Sequence, residues 1–312
     1  MRTGLTILIL TVAAFCGYWF VGAHLFQRGV EDWLAAQAEA GRSAEVQELE
    51  IAGFPTRFAA TSGTVVIVDP ETGWGWQTSS AAVSMPSWWP FRVTADLAEQ
   101  HVLDTPRGQF DITAQDLTGR IGLSPRLAPV DLHARSNAIR AVGAGGSLQA
   151  SEFLFDSTRL DGATHHATLS VHGLGLEAGR VTLIGGTLTA EADVTLAERL
   201  DDLPDAVGLP IDTITLRDGE LRFDRVAVRA SGTLVADGRG FAAGELTLQL
   251  ENWPEALEAA VAAGLIQENR VGLLEGGFRM MADGDVLELP LTLAGGDIRF
   301  GPFPLGPAPR LR

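Results

Sequence analysis

The sequence predicts a mainly β protein: one large curved antiparallel sheet, a meander with bulges, preceded by an N-terminal transmembrane or amphipathic helix and interrupted by two short inserted helices. Three observations predict it. From about residue 45 onward, apolar residues recur at every second position, the period of a strand with one buried face. Glycine, Asp-Gly and proline punctuate these runs while helical periodicity is scarce, which disfavours parallel βαβ winding and leaves a meander. Several runs also change phase midway, and a sheet absorbs such a slip with bulges that bend it.

The first element is residues 1–23. The stretch LTILILTVAAFCGYWFVGA, residues 5–23, carries no charge. As a helix it spans about 28 Å at ~1.5 Å per residue, roughly one hydrocarbon core. Tyr18 and Trp19 fall near its outer end, where amphipathic rings favour the interface, and Arg2 lies on the short side. A transmembrane anchor and a cleaved signal peptide both fit, the latter because Val21-Gly22-Ala23 offers a cleavage site. Helical periodicity continues through Phe26, Val30, Trp33 and Leu34, so residues 24–44 read as an amphipathic helix ending near Gly41. With either leader the remaining chain is exported. The expected location is the cell inner membrane, single-pass, with the C-terminal domain in the periplasm.

Residues 45–312 are the expected sheet domain. ELTLQLE puts Leu246, Leu248 and Leu250 on one face, and VLELPLTL does the same with Leu287, Leu289, Leu291 and Leu293. Leu188 belongs to a third such run, Leu221 and Phe223 to a fourth, and Ile298 and Phe300 extend the last strand. These residues are the candidate lining of an apolar groove. Phase changes occur from Leu221 and Phe223 to Val226 and Val228, from Leu169 and Val171 to Leu174 and Leu176, and from Ile112 and Ala114 to Leu117, Ile121 and Leu123. Two helices interrupt the meander. Asn252 with Glu255 reads as a capping box opening a helix near 253–264, striped by Leu257, Val261 and Leu265; Thr195 with Glu198 reads the same way for a helix near 196–203. Each follows a Gly-x-Leu-Thr strand, from Gly186 and from Gly244, as in a divergent repeat. Gly53-Phe54-Pro55 should bend the first strand with Phe54 anchored in the core. Gly301, Pro302 and Pro304 should end strand pairing and protect the last edge.

Little here points to chemistry. The net charge is −16 and all 23 basic residues are arginine, so a phosphate backbone is repelled and nucleic acid is not an expected partner. The same charge disfavours electrostatic docking on anionic lipid. Without lysine there is no side chain for a Schiff base, and Cys16 alone forms no intramolecular disulfide. His165 and His166 are adjacent, so on a strand they point to opposite faces. No zinc-type spacing and no Gly-x-Ser-x-Gly elbow occurs, and GAGG at residues 143–146 reads as a loop. Trp74, Trp76, Trp88 and Trp89 cluster, as hairpin packing, a binding mouth or a membrane contact. No catalytic, cofactor-binding or metal-binding residue is assigned, and the expectation is a non-enzyme.

Four features occur in order: an anchor with a helix, IAGFPTRF at residues 51–58, NWPEALEAAVAAGLI at 252–266, and GGDIRFGPFPLGPAP at the terminus. Together they resemble an uncharacterised bacterial family of membrane-anchored envelope proteins, domain of unknown function 2125. More distantly, the end and the strand-rich body are similar to AsmA-like envelope proteins, whose curved sheets hold a hydrophobic groove linked to lipid traffic. The resemblance implies membrane attachment through the N-terminal helix and a lipid or other apolar ligand, and supplies no catalytic residue. The alternative is an envelope scaffold whose sheet faces pack fully on each other.

Overall fold

The computed structural model describes residues 2–39, 41–70, 73–106, 108–126, 128–179, 181–198, 210–224, 226–262 and 271–311, with 2–13, 178, 181, 262, 273 and 303 described by backbone alone. The protein is mainly β and its strand pairings are antiparallel throughout. Contacts divide the chain into two compact units, Met1–Val130 and Asp131–Arg312.

The first unit opens with α1 (Arg2–Glu39), one unbroken helix that carries the uncharged run on into residues 24–39. Gly41 and Arg42 donate to the carbonyls of Ala38 and Gln37, so the chain leaves the helix through a left-handed glycine as the sequence implied. Among the described residues no helix is long and apolar enough to cross a membrane. Residues 5–13 of the uncharged run lie outside the described side chains. Ten strands follow: β1 (Ser43–Val46), β2 (Glu50–Ala52), β3 (Arg57–Ser62), β4 (Val65–Asp69), β5 (Trp74–Thr78), β6 (Ala81–Pro86), β7 (Arg92–Leu97), β8 (Gln100–Thr105), β9 (Gly108–Gln115) and β10 (Thr118–Leu123).

These strands form two ladders, β1-β4-β5-β8-β9 and β2-β3-β6-β7-β10. The chain crosses between ladders at short breaks inside long strands, and the breaks line up. Leu97 donates across to Leu117, Ala98 to Ser80, and Ala114 to Glu99. Asp116, with φ 51°, marks one break, so the phase change after Ala114 is a corner where the strand passes into the other ladder.

Helix α1 lies on β3. Trp19, Ala23 and Phe58 are buried together, with Phe26, Ile51 and Met85 packed around them. Gly22 permits that approach, because a Cβ there would stand 2.4 Å from the Phe58 ring. The buried stripe runs Trp19, Ala23, Phe26 and on to Gln37, leaving Trp33 exposed. The core anchor of IAGFPTRF is therefore Phe58. Phe54, expected in the core, is 50% exposed, because the Gly53–Thr56 turn, with a cis Phe54-Pro55 bond, joins β2 to β3 and puts Phe54 at its tip.

The second unit contains β11 (Pro129–Ser136), β12 (Ala138–Gly143), β13 (Gly146–Ala150), β14 (Glu152–Asp161), β15 (Thr164–Ala178), β16 (Val181–Leu196), β17 (Ile211–Phe223), β18 (Val226–Ala236), β19 (Ala242–Glu251), α2 (Trp253–Ala262), α3 (Val271–Met281), β20 (Val286–Ala294), β21 (Asp297–Phe300) and β22 (Phe303–Pro307). From β14 to β22 each strand pairs with the next, a true meander. Of the two phase changes expected here, the one at His172-Gly173 is a bulge within β15, and the one after Phe223 is the turn between β17 and β18. An unforeseen slip at Arg217 and Asp218 shifts β17 against both neighbours.

Helix α2 begins after Asn252, whose carbonyl accepts from Ala256. Leu265 lies outside the described residues, as do 199–203 of the other expected helix. Thr195 and Leu196, at the start of that expected helix, are the last residues of β16. Helix α3 was not legible as a helix, since Gly272, Gly276 and Gly277 each lower helix propensity.

Gly173 takes φ 61°, and a Cβ there would sit 2.2 Å from Ser151 Oγ. Gly173→Ala should cost at least about 1–2 kcal/mol through left-handed strain, lowering Tm by roughly 2–4 °C per kcal/mol. Gly145→Ala, built into open space, should change stability by less than about 0.5 kcal/mol. Thermal melts of the two variants check the contrast.

Candidate functional site

The register of the second unit stacks apolar residues into rows across β14 to β20. The first row runs Phe153, Val171, Leu188, Leu221, Val228, Leu250, Leu287. Two residues along, the second runs Phe155, Leu169, Ala190, Gly219, Ala230, Leu248, Leu289. The third passes Ala167, Ala192, Leu216, Gly232, Leu246 and Leu291, and the fourth His165, Val194, Ile214, Leu234, Gly244, Leu293 and Ile298. The β17 slip lets Leu216 and Ile214 share a face with Leu221 despite their even numbers. Side chains in register on one face of a sheet are neighbours, so the rows form a continuous apolar wall.

This wall gathers Leu188, Leu221, Leu246, Leu248, Leu250, Leu287, Leu289, Leu291 and Ile298 on one face. Phe223 continues the β17 alternation, with its ring over Gly186, and Phe300 continues that of β21, half-buried and paired with Phe303. Phe153 and Phe155 were missed; their signal was the alternation in EFLFD, where Leu154 points the other way and is exposed.

The wall is covered unevenly. Trp253 and Leu257 of α2, with Leu274 and Phe278 of α3, pack on Leu250, Leu287 and Leu289. At the fourth row the terminal segment packs Ala308 and Leu311 against Leu234, Leu246, Leu293 and Ile298. Leu188, Leu221, Phe223 and Leu248 belong to neither cluster and stay half-buried.

The terminus corrects an expectation. Pairing does not stop at Gly301. Gly301 and Pro302 make a turn, and β22 pairs with β21, setting Pro304 opposite Arg299. Proline lacks the ladder N–H, so β22 can still serve as an edge strand. The chain then returns across the sheet end, where Ala242 donates to Pro309, Leu311 donates to Gly240, and Ile211 donates to Leu311.

The opposite face is charged. Glu220 accepts from Nε of Arg222 at 2.7 Å and Nε of Arg229 at 2.8 Å, and Glu251 accepts from both arginines. His166 and Arg217 both bond Asp193 there, while His165 falls on the apolar side, where burial pushes its pKa down. In the first unit a cavity of about 360 Å³ is lined by His101, Gln77, Thr78, Gln100, Asp111 and Thr113. His101 is buried and stacked 5.9 Å from Trp76, and neither ring nitrogen has a hydrogen-bond partner. Burial lowers its pKa, though the nearby Ala98 backbone pushes the other way. Among the described residues no three His, Cys, Asp or Glu side chains form a metal-binding group.

Hydrogen bonding from Arg222 holds the Glu220 carboxyl below its ordinary range, and Arg217 does the same for Asp193, helped by His166. Both folded pKa values are depressed. The stability they contribute is present above the unfolded carboxylate value, about 4, and is lost as pH falls through it toward the folded values. Glu220→Gln should lower Tm at neutral pH and make its decline below about pH 5 shallower than in the wild type, as melts across that range would show.

No curated protein and no solved structure matches the chain. A family model does, over residues 19–309, from α1 at Trp19 through both units to the terminal segment. By that match the chain belongs to the bacterial family described as "Uncharacterized protein conserved in bacteria (DUF2125)".

Proposed function

We propose that this protein is a non-catalytic binding module of the bacterial envelope, tethered to the inner membrane by α1 with its strand-rich units in the periplasm. The apolar wall of the second unit holds a lipid acyl chain or a comparable apolar ligand. The observation that carries this reading is the uneven cover: a wall four rows deep, protected by helices and terminus on the β19–β20 side and half-buried around Leu188 and Leu221. An apolar surface of that extent meets something in the working protein. At about 4.8 Å between strands, β14 to β18 spans roughly 19 Å. One leaflet's acyl chains occupy about 15 Å, half of a ~30 Å hydrocarbon core, so the open stretch accommodates one chain. Bulges at His172-Gly173 and at Arg217 support curvature of that wall.

A second reading, an envelope scaffold with a closed core, draws support from the fully buried Leu287 and the well-covered Leu291 and Leu293. Native mass spectrometry of protein released from membranes in mild detergent separates the two. Near one lipid per chain is expected. Leu221→Gln should keep the wild-type circular dichroism while retaining lipid about tenfold less well, the equivalent of losing roughly 1.5 kcal/mol of apolar burial. A wild-type protein that carries no lipid makes it a scaffold.

A further inference from the structure

At the level of Tyr18 and Trp19, α1 is fastened to the loop after β6 and to the start of β3, where the β2–β3 loop ends. The Tyr18 hydroxyl donates to the Ser87 carbonyl at 2.7 Å, and the Trp19 indole N–H donates to the Arg57 carbonyl at 2.9 Å. The loops are tied to each other, since the Ser87 hydroxyl donates to the Pro55 carbonyl at 2.8 Å. The polar atoms of Tyr18 and Trp19 are thus used internally, and the expected interfacial role passes to their neighbours.

Those neighbours are large, aromatic and uncovered. Phe20 is 65% exposed, Trp88 66% and Trp89 59%, beside the half-exposed Phe54. Phe20 stacks on Phe54 at 5.9 Å, Phe54 meets Trp19 edge-on at 5.2 Å, and Trp89 meets Phe91 at 5.3 Å. Residues 14–23, 53–55 and 87–91, which supply this surface, include no charged side chain, in a chain with 20% charged residues. Single exposed apolar residues are ordinary, but four large rings on adjoining loops and one helix turn form a patch that selects a partner.

The geometry points to a lipid interface as that partner, and we infer that Phe20, Phe54, Trp88 and Trp89 form a collar seating the first unit in the headgroup zone of a bilayer. Helix α1 continues from the collar toward Arg2, and between Arg2 and His24 the sequence has no charge. From Arg2 to Tyr18 a helix rises about 24 Å, close to the ~30 Å of a hydrocarbon core. Rings at the end of such a segment lie where the bilayer favours amphipathic aromatics. An uncharged collar on a protein of net charge −16 fits zwitterionic headgroups rather than anionic ones. This inference rests on the membrane tether proposed above and is independent of the wall and its ligand.

The test uses the full chain in phosphatidylcholine vesicles whose acyl chains carry bromine either near the headgroup or near the bilayer centre. Trp88 and Trp89 should make the wild-type emission sensitive to the shallow bromines. The Trp88→Ser, Trp89→Ser double variant should lose that shallow quenching by at least about twofold while still floating with vesicles; because both rings are exposed, its melting should match the wild type. Wild type and variant that float together and are quenched alike overturn the collar and leave the tether standing. A full-length protein that does not float overturns the tether, and the collar with it. A detergent-stable dimer abolished by the double substitution, with quenching unchanged, makes the patch an interface between copies and also overturns the inference.

Discussion

The second unit depends on cross-strand register. An alternating strand has an apolar face by itself, but a wall exists only if successive strands bring those faces together. They do so along two rows from β14 to β20 and along two more from β15 onward, and the slip in β17 preserves the alignment, carrying Ile214 and Leu216 into rows they would otherwise leave. Everything placed over the wall follows from this alignment. Helices α2 and α3 meet Leu250, Leu287 and Leu289 because these are consecutive members of two rows, and the terminal segment finds Leu234, Leu293 and Ile298 for the same reason. Charged side chains accumulate on the other face by the same parity, where Glu220, Arg222, Arg229 and Glu251 lie within bonding reach across three strands.

The first unit solves a different problem with the same strand period. Its runs of strand are interrupted at aligned positions that turn each of them from one ladder into the other, so that a single run of sequence serves two ladders. Buried alanines such as Ala59, Ala60 and Ala114 suit so tight an arrangement. Helix α1 then covers β3 with a stripe of its own, and the close approach at Gly22 lets Phe58 reach the helix backbone.

Much of this was legible in the residues and some was not. Alternation identified the strands and the inward residues of β16 to β20, since a period of two is a property of each strand alone. It did not reveal whether a phase change was a bulge, a corner or a turn, because these differ only in where the partner strand goes. The changes at His172, after Ala114 and after Phe223 turned out to be one of each. Phe54 and Phe58 are both aromatic and four residues apart, and only the turn at Gly53 decides which one is buried. Prolines 302 and 304 did not reveal that pairing continues to Pro307. Helix α3 carries Val271, Leu274 and Phe278 at helical spacing, a usable signal that three glycines obscured. The patch of Phe20, Phe54, Trp88 and Trp89 draws on three separate stretches of sequence, so no local pattern announces it.

The fastening of Tyr18 and Trp19 to the loop and strand end beneath them has a mechanical meaning. A domain on a flexible leash tumbles freely and samples every orientation. A helix bonded to the sheet through two side chains and packed on it from Trp19 to Gln37 behaves as a stalk. Whatever sets the pitch of that stalk sets the pitch of the sheet beside it, and a torque applied to one is felt by the other.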